Sequence, residues 1–187
     1  KMTDWKKEYQ KDSYEFDASI IKGQNFKGIS TTIPVHVLVN HYSVDETRGN
    51  EDNGYQRPHQ NKRSLVLAER LLDEDVVLPL SFTLNIREAN AYSEIKNNKF
   101  KFVPKVHNKL WVVDGQHRVR ALEIALQEAD KIENKVEAEK NIRRIAEKTV
   151  PATITFTEDR FTEMELFSEV NGYQKGVPVD QQIQNSV

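Results

Sequence analysis

The chain has 187 residues, 37% of them apolar and 30% charged, with a formal net charge of −2, a pI near 6.3 and no cysteine. That length suits one domain, or a domain with an extension, and suffices to bury a sizeable core. The composition excludes disulfides, a thiolate nucleophile, and cysteine-ligated zinc or iron–sulfur sites, and it excludes a globally basic nucleic-acid binder, so any such surface must be local. Mean hydropathy is −0.69, but the apolar residues are clustered rather than diluted, which argues against disorder. No apolar run approaches the roughly 20 residues of a membrane span and no signal peptide is visible, so a cytoplasmic location is expected. The chain opens at Lys1 and stops at QQIQNSV in mid-pattern, which reads as a piece of a longer protein continuing past Val187.

In chain order, residues 1–27 read as an N-terminal arm or short helix followed by a strand at FDASIIK, 16–22. The β-branched stretch 28–44 reads as a strand, with Pro34 marking its start or an edge. Residues 45–54 form a charged, turn-rich loop. Pro58 suits the first turn of a helix, and Leu65, Ala68 and Leu72 give it an apolar stripe. A strand is expected at 76–86, and a hairpin-like pair at 100–106 and 109–114, separated by His107 and Asn108. Val119, Leu122, Leu126 and Ala129 predict a helix from Gln116. Residues 131–148 read as a charged helix or helical pair, mostly solvent-facing, and 150–156 as a strand. Thr157 is placed to cap a helix through 158–171, GYQKGVPV reads as a loop, and Asp180 is placed to open another helix. The result is a mixed α/β order of the α+β class, without regular βαβ alternation.

The segment LWVVDGQHRVRA, 110–121, places Gln116, His117 and Arg118 where a strand becomes a helix. Gly115 permits a sharp turn. The first N–H groups of a helix lack intrahelical acceptors and form the positive end of its dipole, a natural phosphate site. Arg118 adds a permanent forked charge, with Arg120 beside it. The blander alternative is that Asp114 caps the helix while His117 and Arg118 form surface ion pairs. Two further polar clusters lie at helix edges: Gln56 and Arg57 before one, and Glu169, Asn171, Gln174 and Lys175 after another. Together they suggest one site assembled from several loops. The other histidines lack metal-ligand spacing: His36 reads as a strand residue, and His41, His59 and His107 as surface. The alternating lysines and phenylalanines of KNNKFKFVPK, 96–105, suit an exposed strand over the core first and a nucleic-acid surface second. The Arg143-Arg144 pair, interleaved with glutamates, reads as a solvated face. No P-loop, G-x-S-x-G or HExxH motif is present.

The DGQHR pentapeptide, the upstream GYQRP and the downstream NGYQKGV together resemble the DGQHR-domain proteins, which include the DndB proteins of DNA phosphorothioation systems and the DpdB proteins of 7-deazaguanine DNA-modification systems. The family is distantly similar to the ParB/sulfiredoxin-like fold. GQHRVRA, Gly115 to Ala121, sits on the G-E-R-R-x-R-A nucleotide-binding segment of ParB proteins. EVNGYQK sits loosely on E-N-x-x-R: Glu169 is one residue further from Asn171, and Lys175 stands for an arginine. The resemblance implies a ParB/sulfiredoxin-like sheet flanked by helices over 28–187, with the motif at a strand-to-helix turn. It also implies a phosphate-binding pocket made by Gln56, Arg57, Gly115, Gln116, Arg118, Arg120, Asn171, Gln174 and Lys175. The ligand is a nucleotide or the backbone of DNA, and the partners are DNA and other proteins of a modification or phage-defence system, with no membrane; an oligomer is compatible.

Three functions follow. In the first, the chain is a component of such a system, a DNA-binding regulator among the options, that binds its ligand through the DGQHR loop. In the second it is a nucleoside triphosphatase without a P-loop. Asp114, His117 and Arg118 are then catalytic, Mg²⁺ is held by Asp114 or Glu169, and ATP or another nucleotide is consumed. In the third, DGQHR only rigidifies a non-catalytic interaction module.

Overall fold

The computed structural model describes residues 4–23, 25–46, 54, 56, 61–73 and 80–175. The chain begins with α1 (Asp4–Tyr9), then β1 (Tyr14–Ile20) and β2 (Gly28–Pro34), which pair antiparallel. Next come α2 (Val35–His41), β3 (Tyr42–Ser43), α3 (Asn61–Leu72) and β4 (Phe82–Ile86). A 3-10 turn at Ala89–Glu94 leads to β5 (Lys99–Phe102), α4 (Pro104–His107), β6 (Leu110–Asp114) and α5 (Gln116–Asp130). The described chain ends with α6 (Lys135–Ala146), β7 (Thr149–Phe156) and α7 (Arg160–Lys175).

The strands form one mixed sheet in the order β3-β6-β4-β7-β2-β1-β5. The fold is thus α+β, as expected. β7 is its middle strand, antiparallel to β2 along its length and parallel to β4. Its apolar run suits a strand flanked on both sides: Val150, Ala152, Ile154 and Phe156 are all buried. β5 alternates strictly, with Phe100 and Phe102 fully buried and Lys99 and Lys101 exposed, as the lysine–phenylalanine pattern anticipated. α5 is the hub of the helical layer, with α2, α3 and α6 packed against it. Its buried stripe of Val119, Leu122, Leu126 and Ala129 is the predicted one. Each fully buried leucine or isoleucine contributes roughly 1.5–3 kcal/mol, so this stripe anchors the turn that precedes it.

Several expectations are corrected. The strand read over 28–44 stops at Pro34, whose extended backbone caps α2. Val35, Val37, Leu38 and Val39 are helical and buried; burial overrides their β-branched preference, which is worth only tenths of a kcal/mol per residue. The supposed hairpin does not form, because Pro104 starts α4 instead, and β5 and β6 then lie far apart in the sheet, on β1 and on β4. His36 is helical rather than in a strand and stacks on Tyr9 with ring centroids 4.6 Å apart. His107 is buried, not on the surface: its Nδ1 accepts the Val103 N–H, and Nε2 faces Glu94. His41 is half-buried against Tyr14. Arg144 does not belong to a solvated face; it donates to the carbonyls of Leu71 and Leu72 and so closes the C-terminus of α3. Asp159 rather than Thr157 caps α7, its carboxylate accepting from the Phe161 N–H and the Thr162 hydroxyl. That helix runs on to Lys175 through residues read as a loop. His59, the strand residues 76–79 and the helix expected at Asp180 lie outside the described residues.

Burial pushes the His36 imidazole down to about 4, helped by Lys11 and His41 against the opposing pull of Glu147, and burial lowers His41 as well. A histidine held neutral in the fold but free to take a proton near pH 6.5 when unfolded withdraws stability as pH falls between those values. The urea midpoint should therefore drop steadily from pH 6.5 towards pH 4. His36→Phe, which keeps a ring against Tyr9, should flatten that slope, leaving the part due to His41.

Candidate functional site at the DGQHR turn

β6 ends at Asp114 and α5 starts at Gln116, so Gly115 alone makes the turn. Its φ is +110°, a region that strains any other residue, and a Cβ there would stand 2.4 Å from the Phe82 ring. The glycine is therefore required twice, by backbone conformation and by the close approach of β4. Its carbonyl accepts the Val119 N–H, the first bond of the helix. No side chain at the N-cap blocks the helix entrance, since the cap residue is Gly115 itself.

Asp114 does not cap. Its carboxylate instead takes a 2.8 Å ion pair from Arg118, one turn on. This fixes the partly exposed guanidinium beside the helix entrance, with its carbon 5.6 Å from the centre of the Phe82 ring. Gln56, only 2% exposed, donates to the Val112 carbonyl of β6 and meets the Gln116 amide at 3.4 Å. Ser64 of α3 donates to the His117 carbonyl. The DGQHR turn and Gln56 thus converge.

Arg120 belongs to a neighbouring cluster. It lies 3.6 Å from Glu46 and 3.5 Å from Glu123, over the Tyr42 ring, and the Tyr42 hydroxyl donates to Glu123. Burial, then the Glu123 carboxylate, push that hydroxyl well above its usual range. Asn171 donates to the Phe167 carbonyl of its own helix rather than to the turn, and Glu169 is exposed on α7. Gln174 and Lys175 are helical, and Arg57 lies outside the described residues. Among the described residues no three histidine, aspartate or glutamate side chains converge as metal ligands. With Asp114 already paired to Arg118, the donor set does not fit a divalent cation.

No local pattern of residues announces a second polar constellation next to this one. Glu163, with no exposed side-chain surface, accepts from Asn85 at 2.8 Å and from Arg87 at 2.6 and 3.1 Å. Arg87 also pairs with Asp45, which Arg160 holds from the other side. The Arg87 guanidinium lies 3.5 Å from the centre of the Trp111 ring. Burial works against the charge of Asp45, yet Arg160 and Arg87 outweigh it and keep the carboxyl below its ordinary value. The Asp45 carbonyl accepts the Gln56 N–H, so the network reaches the loop that carries Gln56. Each arginine lies dozens of residues from the acid it pairs with, and no spacing rule joins them.

A mixed α+β domain with a glycine-hinged, arginine-bearing DGQHR turn between strand and helix is the class these features define. The chain belongs to the DndB family, described as DNA-sulfur modification-associated, whose model matches residues 16–182. No curated protein and no solved structure matches it. Among the described residues no helix is long and apolar enough to cross a membrane.

Two substitutions check this geometry. Gly115→Ala should cost about 3 kcal/mol in urea unfolding, combining backbone strain of ~1–3 kcal/mol with overpacking against Phe82. Glu163→Ala should cost on the order of 3 kcal/mol, the low end for a broken buried pair, because Arg87 keeps Asp45 and some solvent.

Proposed function

We propose that this chain is a phosphate-recognising component of a DNA sulfur-modification system, and that the DGQHR turn is where it grips a nucleotide or the backbone of DNA. The observation that carries the reading is the fixed position of Arg118. A guanidinium free in solution loses conformational entropy when it binds an anion. Here Asp114 has already oriented it beside the positive end of a fifteen-residue helix. An incoming phosphate would take N–H bonds from the helix entrance and a charge-assisted bond from Arg118. Gln116, held through Gln56 to β6, would present its amide from a rigid base. The family description, DNA-sulfur modification-associated, supports a role close to DNA chemistry.

Nothing in the geometry favours hydrolysis. The Asp114 carboxylate that a triphosphatase would use for a metal serves Arg118 instead. DNA-binding regulation and nucleotide sensing share the same chemistry at the turn.

Calorimetry with ATP, CTP and GTP, and fluorescence titration of duplex DNA at several salt concentrations, test the reading. Arg118→Ala should weaken the ligand that binds by at least about tenfold, the equivalent of roughly 1.4 kcal/mol. If that ligand is DNA, the salt slope should fall by about one ion. Arg118→Lys should recover only part of the loss, since an ammonium lacks the fork. Unchanged affinity in Arg118→Ala would remove the turn from consideration.

A further inference from the structure

The two arginines of the DGQHR segment are held very differently. Arg118 donates a 2.8 Å hydrogen bond to Asp114. The Arg120 guanidinium makes no hydrogen bond among the described residues; its terminal nitrogens stand 3.5 Å from Glu123 and 3.6 Å from Glu46, and its Nε has no partner. Those separations exceed the roughly 2.7–2.9 Å of a charge-assisted hydrogen bond. With 36% of the arginine side chain exposed, such ion pairs hold it weakly. The charges also fail to balance. Two carboxylates face this one guanidinium, whereas Asp45 and Glu163 are answered by two arginines. Glu123 is tied down, because its carboxylate accepts the Tyr42 hydroxyl. The Glu46 oxygen nearest Arg120 accepts no hydrogen bond. Glu46 is bridged through its backbone to Gln56, whose side chain meets Gln116, so it stands next to the support of the turn.

Arg120 is one helical turn beyond Gln116, on the same face of α5. Side chains on an α-helix lean towards its N-terminus, so Arg120 has the reach to meet an anion at the helix entrance. Arg118, two residues earlier, approaches from about 200° round the helix. A phosphate at the entrance is therefore within reach of both guanidinium groups, from opposite sides. We propose that Glu46 sets the affinity of the DGQHR turn for phosphate by holding Arg120 in reserve. The proposal rests on the reading of the turn as a phosphate site. A bound phosphate competes with Glu46 for the guanidinium, and the contact it displaces is an ion pair without a hydrogen bond. Glu46 is then left with its charge unanswered beside the ligand, and that repulsion limits how tightly the ligand is held. Arg118 gives the site a fixed grip, and Arg120 an adjustable one.

Calorimetry with ATP and fluorescence titration of duplex DNA, on the full chain, test this. Glu46→Gln keeps the shape of the side chain and removes its charge. It should tighten whichever probe binds at least threefold, and binding seen only in this variant is the same gain rising from below detection. The gain should be at least threefold larger with Arg120 present than in an Arg120→Ala background. Removing a charge acts alike in both, and only the first has a guanidinium to release. Glu123→Gln should give a smaller gain in the same direction, since Tyr42 still holds that side chain; it carries the test if the urea midpoint shows Glu46→Gln to be unfolded. No gain in either glutamine variant, or equal gains with and without Arg120, overturns the proposal, while a loss of binding in Arg118→Ala leaves the phosphate site standing. No binding of either probe by the wild type or by the glutamine variants overturns the site and the proposal together.

Discussion

A carboxylate sealed from water needs its charge answered at once, and Glu163 meets that demand by drawing four segments together. Asn85 and Arg87 approach from the end of β4, Arg87 brings Asp45 from beyond β3, and Asp45 brings Arg160 from the start of α7. Trp111 covers the flat face of Arg87 and adds β6. Two acids and two arginines balance, so the cluster is neutral overall and every charge has a near neighbour. Apolar packing alone would tolerate small slippage of α7 along the sheet. A forked, hydrogen-bonded charge network does not, because a displacement of about an ångström leaves buried groups unpaired. The same network fixes the backbone of Gln56, and through Gln56 it reaches the DGQHR turn.

What was legible in the sequence was the local geometry at Asp114-Gly115-Gln116. An apolar run ending in Asp-Gly, followed by helical spacing, has few other solutions, and the strand, the hinge and the stripe of α5 all formed where expected. α2 was not legible because Val35, Val37 and Val39 carry the signature of a strand, while the slot they fill between sheet and α5 is a tertiary property. The false hairpin at 100–114 arose because two strands close in sequence look paired until the whole sheet is known. Pro104, a helix-start residue, was the available signal. The turn's partners were read in part: Gln56 arrives, whereas Asn171 spends its amide on its own helix. The Arg87 network depends on contacts between residues up to 115 positions apart, and no local pattern encodes those.

The near-neutral net charge conceals a sharp spatial separation. α5 carries Arg118, paired with Asp114, at its first turn and ends at Asp130, near the exposed carboxylates of Glu8, Glu133 and Glu139, about 22 Å away at 1.5 Å per residue. Its own dipole runs in the sense that reinforces both ends. A single helix therefore holds a basic side chain beside its positive pole and a group of acids beside its negative pole at a fixed distance.

The position of β7 has a consequence for how the protein is made. On one side of this strand lie β4, β6 and β3, on the other β2, β1 and β5, and no other strand joins the two groups. Yet β7 is the last strand in the described chain. During synthesis the two half-sheets must wait, each with an open inner edge, until residues 149–156 have left the ribosome. Antiparallel β1 and β2 are neighbours in sequence and can pair early; the contacts of β4 and of β2 with β7 join residues far apart in sequence and come late. Until then the unpaired edges of β2 and β4 are where a nascent chain is open to misassembly, and where a chaperone would have most to protect.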